Sequence, residues 1–178
     1  MNWNASGPRT TFTSPHSETT FGHFGMEWDV REVQGPEREE LKRFIGIYKE
    51  HRGLIHSGRM VRADVPGDSL MLHGVVAAGP AMSGDTAALF AFIRTRTGSD
   101  ERPGRIAIPG LEPERSYRVE PIFPSHADAD YAHTFTQVRP PEWLTPGAEA
   151  TGRFLAEVGL PMPILNPEHA LLLSVSAV

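Results

Sequence analysis

The chain of 178 residues has no cysteine. A disulfide framework and thiol chemistry are therefore excluded. It has no excess of positive charge either: 17 Lys and Arg stand against 22 Asp and Glu, for a formal net charge of −5. Without a basic face, nucleic acid is not an expected partner. No apolar run approaches the ~20 residues that a helix needs to cross a bilayer. The opening residues Met1 to Ala5 lack the basic region and apolar stretch of a signal peptide, so the cytoplasm is the expected compartment. A phosphate loop is missing too. Gly22 and Gly25 are followed by no Gly-Lys-Ser/Thr, and no third glycine is correctly spaced.

What the chain has in quantity is punctuation. Seventeen glycines and sixteen prolines favour short elements and many turns. Hydrophobic residues make up 39%, enough for the core of one domain. Residues 1–20 are rich in Ser, Thr, Gly and Pro and read as an irregular lead-in. Residues 25–30 could form a short buried strand.

A helix is expected near 37–57. Gly35-Pro36 is a suitable start, and Glu37, Glu39 and Glu40 lie where the helix dipole favours acids. Leu41, Phe44, Ile45, Tyr48, Arg52 and Ile55 then recur at steps of three and four, which makes one buried stripe. Gly58 is the expected stop, in the left-handed conformation. Beyond it the pattern turns β-like: a short mixed run at 60–65, apolar runs at 70–78 and 87–96, and alternating runs at 105–108 and 116–121. Turn signals such as Pro66-Gly67-Asp68 and Pro109-Gly110 separate them, as in an antiparallel sheet or sandwich. Residues 122–150 read as a long loop, Thr151 to Val158 as a helical turn closed by Gly159, and Ala170 to Val175 as the closing strand.

One segment is more specific. Phe21-Gly22-His23-Phe24-Gly25-Met26-Glu27-Trp28-Asp29-Val30 is followed by Tyr48-Lys49-Glu50-His51-Arg52 and by Leu54-Ile55-His56-Ser57-Gly58-Arg59-Met60-Val61-Arg62. Further on come His73-Gly74-Val75-Val76-Ala77, then Pro109-Gly110-Leu111-Glu112-Pro113 with Arg115, Tyr117, Arg118 and Val119. Val158-Gly159-Leu160-Pro161 and Pro167-Glu168-His169-Ala170-Leu171-Leu172 close the series. In this order the anchors resemble the C-terminal part of the α-galactosidases of glycoside hydrolase family 36. The resemblance implies an α+β fold. Residues 21–57 would be the last strand and helix of a (β/α)8 barrel, and residues 58–178 a C-terminal antiparallel β-sandwich domain. It implies a retaining glycosidase acting on terminal α-galactosyl groups, without metal or cofactor.

The same resemblance implies that the catalytic aspartates are absent. The family nucleophile sits in a Lys-Trp-Asp-type motif and the acid/base in a Ser-Asp-Asn-type one; neither is in this chain. Glu27-Trp28-Asp29 matches the final barrel strand instead, and Ser99-Asp100-Glu101 falls in a turn of the β domain. A C-terminal fragment, inactive alone, is the resulting expectation. Trp28 is the candidate sugar contact, because an aromatic face stacks on the apolar side of a sugar; core packing is the competing role.

Other candidates weigh less. Retaining hydrolysis needs two carboxyl groups about 5–5.5 Å apart. Glu27 and Asp29 would share one face of a strand, but a barrel site draws on several strand ends, so a structural role is expected. His51 and His56 are five apart and share no helix face. His126 and His133, with Asp128 and Asp130, read as a solvated acidic loop rather than a metal site. His73 reads as a buried, hydrogen-bonded strand residue. Lys49 and Arg52 lie one turn apart and would pair with Glu27 or Asp29, or stay solvated.

Without a barrel, Leu41, Phe44, Ile45 and Tyr48 would form an exposed apolar stripe that invites self-association. A different class of function is also open: a standalone β-sandwich carbohydrate-binding or interaction module. Trp143, the loop tryptophan of the β part, is its support.

Overall fold

A computed structural model describes residues 34–65, 67, 69–97, 103–124, 134–136 and 139–178. The expected lead-in, the expected strand at 25–30 and the acidic loop with His126 and His133 lie outside the described residues.

The first described element is helix α1 (Pro36–Ser57), which begins one residue before the expected start. Gly35 precedes it at φ 60°, and a proline follows in the first turn, where its missing N–H costs nothing. The stop differs from expectation. Gly58 is extended, at φ −79° and ψ 172°, not left-handed. Glycine is needed there for space. A Cβ would stand 2.5 Å from Val75 Cγ2 and 2.8 Å from the carbonyl oxygens of Leu54 and Val76. The chain turns so tightly from α1 into the sheet that no side chain fits.

Strands β1 (Arg59–Ala63), β2 (Leu70–Val76) and β3 (Thr86–Arg94) follow as a meander. After them come β4 (Arg105–Ile106), β5 (Ser116–Phe123), a 3-10 turn (Glu142–Leu144), β6 (Ala148–Thr151), helix α2 (Gly152–Glu157), β7 (Leu160–Pro161) and β8 (His169–Ala177). The main sheet has the order β1-β2-β3-β8-β5-β6, and every pairing is antiparallel. The last strand thus lies between β3 and β5. Strands β4 and β7 form a separate two-residue ladder.

Alternation along the strands builds two cores. Val75, Leu89, Ala91, Ile93, Ala170 and Leu172 face α1, where they meet Phe44 and Ile55. Leu72, Phe90, Phe92, Leu171, Leu173 and Val175 face the other way. They pack under Ile106, Ile108, Leu155, Leu160, Met162 and Leu165 from β4, α2, β7 and the connecting segments. Because β2, β3 and β8 are covered on both sides, they read as continuous apolar runs.

The register of β5 is shifted between Pro121 and Phe123. Proline cannot donate to the ladder, and the bulge turns the next side chains over. Phe123 therefore joins the α1 face and packs edge-on against Phe44, with ring centroids 5.4 Å apart.

One expectation is met only in its antiparallel sheet, and another needs correction. The described residues do not form the two full sheets of a sandwich: one face of the six-stranded sheet carries a helix, and the other carries the short β4–β7 pair with α2. Prolines explain why that pair stays short. Pro103, Pro109, Pro161 and Pro163 flank or end it and withhold ladder donors. Nor is the helix stripe left bare. Leu41 and Phe44 are buried, and Ile45 and Tyr48 are half-buried. The sheet covers part of the stripe, through Phe44 and Ile55 with Tyr48 beside them. The expected loop at 122–150 also contains structure, since it holds the end of β5, the 3-10 turn and most of β6.

Candidate functional site

Glu27, Trp28 and Asp29, together with Gly22 and Gly25, lie outside the described residues, as does the turn at 99–101. The sugar contact assigned to Trp28 therefore stands as a sequence expectation. The remaining candidates can be placed. Lys49 and Arg52 are exposed on α1. His56 shares a hydrogen bond with the Tyr48 hydroxyl at 3.1 Å, its ring edge-on to the tyrosine. His51 is half-buried, and desolvation holds its pKa below the usual 6.5, partly offset by Glu50. His73 is buried in β2, flanked by Arg62 on β1 and Ala91 on β3. Among the described residues, no three His, Asp or Glu side chains gather closely enough to hold a metal ion.

Paired carboxylates do occur. Arg118 on β5 binds Glu120 through Nε and Glu149 through Nη1, both at 2.8 Å, and Pro146 O through Nη2 at 2.6 Å. The two acids raise the pKa of the guanidinium, Glu120 foremost. Both carboxylates are occupied by the one guanidinium, which ties β5 to β6 and to the turn before it. Both glutamates are also open to solvent.

The described residues form a groove elsewhere, over the β4–β7 pair. It is open to solvent and has a volume of about 770 Å³. One wall is Pro103-Gly104-Arg105, a second is Arg139 with Pro141-Glu142-Trp143, and the floor comes from Leu160 to Met162 and Ile164. The walls are tied by backbone bonds such as Met162 N to Gly104 O at 3.0 Å. Trp143 is held at its polar tip: its indole N–H donates to Pro161 O at 2.7 Å. Its ring packs partly on the main core. Arg105 is committed as well. Its Nη2 donates to Gly159 O at 2.8 Å and its Nε to Val158 O at 3.3 Å, with its guanidinium 5.5 Å from the centre of the Phe154 ring. Arg139 and Glu142 are exposed, and their side chains make no hydrogen bond or ion pair among the described residues.

Sequence reasoning singled out Trp143 but missed the groove. Its two charged members were legible only as neighbours in the run Arg139-Pro140-Pro141-Glu142-Trp143. Nothing local in the sequence announces that β4 and β7 bring the opposite wall to them.

Comparison with known proteins adds the following. No family model matches the chain. An α-galactosidase of Escherichia coli is 33% identical over 154 residues, which are 86% of this chain and 21% of that protein. Among solved structures, a family 36 α-galactosidase of Geobacillus stearothermophilus, in complex with raffinose, superposes with a TM-score of 0.65 at 19% identity, covering 89% of this chain and 18% of that one. An α-galactosidase of Lactobacillus brevis gives a TM-score of 0.63 at 18% identity, over 91% of this chain and 19% of that one. The chain thus spans about a fifth of the length of the relatives it matches.

Proposed function

The chain is a relative of the family 36 α-galactosidases, matched over most of its own length and about a fifth of theirs, and on that premise we propose that it provides the non-catalytic C-terminal part of such a glycosidase. In this reading residues 58–178 are a β domain and residues 21–57 the last strand and helix of a barrel, with Trp28 beside the sugar. The complete enzyme hydrolyses terminal α-galactosyl groups, and the two carboxylates that do so lie outside this sequence. The cytoplasm is the compartment we assign; among the described residues no helix is long and apolar enough to cross a membrane.

The sequence match carries this reading, and the helix supports it physically. Phe44 and Ile55 belong to the apolar clusters of the sheet, whereas Leu41, which is buried, and Ile45, half-buried, belong to none of the clusters that the described residues form. The apolar arc of α1 is thus wider than the sheet covers. A helix with apolar residues on two flanks suits a position between two bodies. The domain would act by burying one side of the barrel's last helix, not by touching substrate.

The test is an assay of the purified chain with p-nitrophenyl α-D-galactopyranoside. No hydrolysis above background is expected. Turnover that co-purifies with the chain and persists across expression hosts lacking α-galactosidase would overturn the reading.

A further inference from the structure

We propose that the groove around Trp143 is a binding site for a neutral oligosaccharide. The inference is independent of the packing role above, so either can fail alone.

Three observations carry it. The first is the fixed ring. With its N–H spent on Pro161 O, Trp143 is locked in orientation and offers the groove apolar surface. The C–H side of a pyranose packs on such a surface, and a locked ring loses little freedom on binding.

The second is the pair Arg139 and Glu142. A carboxylate only accepts hydrogen bonds and a guanidinium only donates them. Sugar hydroxyls do both, so the two side chains together complement a polyhydroxylated ligand. The third charged residue of the lining, Arg105, is spent on the Val158 and Gly159 carbonyls and the Phe154 ring, so Arg139 and Glu142 are left as the polar partners for an uncharged ligand. Both are exposed, so both can reach a ligand in the groove.

The third is the wall chemistry and size. Pro103, Pro141 and Pro161 have no N–H to offer, so an extended peptide could not add there as a strand. The groove is open and shallow, with room for far more than a single ion.

The experiment uses the full chain, labelled with nitrogen-15, titrated with raffinose and followed by amide and indole correlation spectra. The indole signal of Trp143 and the amides of residues 139–143 should shift and saturate, with a Kd on the order of 1 mM for so shallow a site. Arg139→Ala and Glu142→Ala, both at exposed positions, should each weaken binding about tenfold, the loss of one charged hydrogen bond. Their spectra away from the groove should match the parent, which shows that the fold is intact. The proposal is overturned by the absence of saturable shifts at Trp143, by shifts confined to Trp3 or Trp28, or by unchanged affinity in both variants. A response to a proline-rich peptide, with raffinose silent, would overturn it equally.

Discussion

Gly58, Gly46 and Gly53 belong to one stretch of chain, yet they do different work. Gly46 and Gly53 lie inside α1 with nothing within 4 Å of a built Cβ. Replacing either by alanine should stabilise the chain by up to about 1 kcal/mol, because glycine is a poor helix former. Gly58→Ala should instead cost about 2 kcal/mol, since the methyl meets backbone and the Val75 side chain. Urea unfolding of the three variants reads both signs, and a stabilised Gly58→Ala would refute the steric account. His51 supplies a pH dependence. Burial lowers its folded pKa below the unfolded value of 6.5. The unfolded chain therefore takes up the proton first as pH falls. The stability linked to His51 is complete above 6.5 and is lost as pH falls from there through the folded pKa. His51→Gln should flatten that part of the stability profile; an unchanged slope would show that other groups set it.

Between secondary-structure elements, the packing of α1 on the sheet can be tested at single residues. Phe44 packs with Phe123, Ala91, Ile93 and Leu172. Phe44→Ala should cost about 3 kcal/mol or more, as expected for a large ring removed from a packed core. Ile45, one residue on, is half-buried and outside the sheet's clusters, so Ile45→Ala should cost roughly 1 kcal/mol at most. Equal losses at the two positions would mean that α1 is rotated from its described orientation. Helix α2 offers a smaller test. Thr151 Oγ1 accepts from Phe154 N at 3.2 Å and caps the helix. Thr151→Ala should cost about 1 kcal/mol in thermal or urea unfolding.

Across the whole molecule, β3 and β8 lie at the centre of the sheet, covered on both faces, while β1 and β6 are its edges. Amide exchange should be slowest in β3 and β8 and fastest in β1 and β6. Because α1 shares a core with the centre of the sheet, its amides in the turn around Phe44 should exchange with the sheet's stability and not as a free helix. Much of this was written in local sequence. The three- and four-residue steps from Leu41 to Ile55 mark α1 to within a residue at its start, and the apolar runs with their turn signals mark β2, β3, β5 and β8. Such patterns are local, and each is enforced by the same burial that it foretells. The anchors from Phe21 to Leu172 likewise pointed to the α-galactosidases from residues alone. Tertiary structure decided what local pattern cannot carry. It placed β8 between β3 and β5, set Phe44 and Ile55 of the α1 stripe on the sheet, and turned Phe123 over at the Pro121 bulge. It also made Gly58 a matter of space instead of backbone handedness. The groove at Trp143 exists only because β4 and β7 meet Arg139 to Trp143 across some thirty-five residues of chain in one direction and some twenty in the other. Contacts over such separations depend on which faces remain unburied once the strands have paired, and only the folded chain settles that.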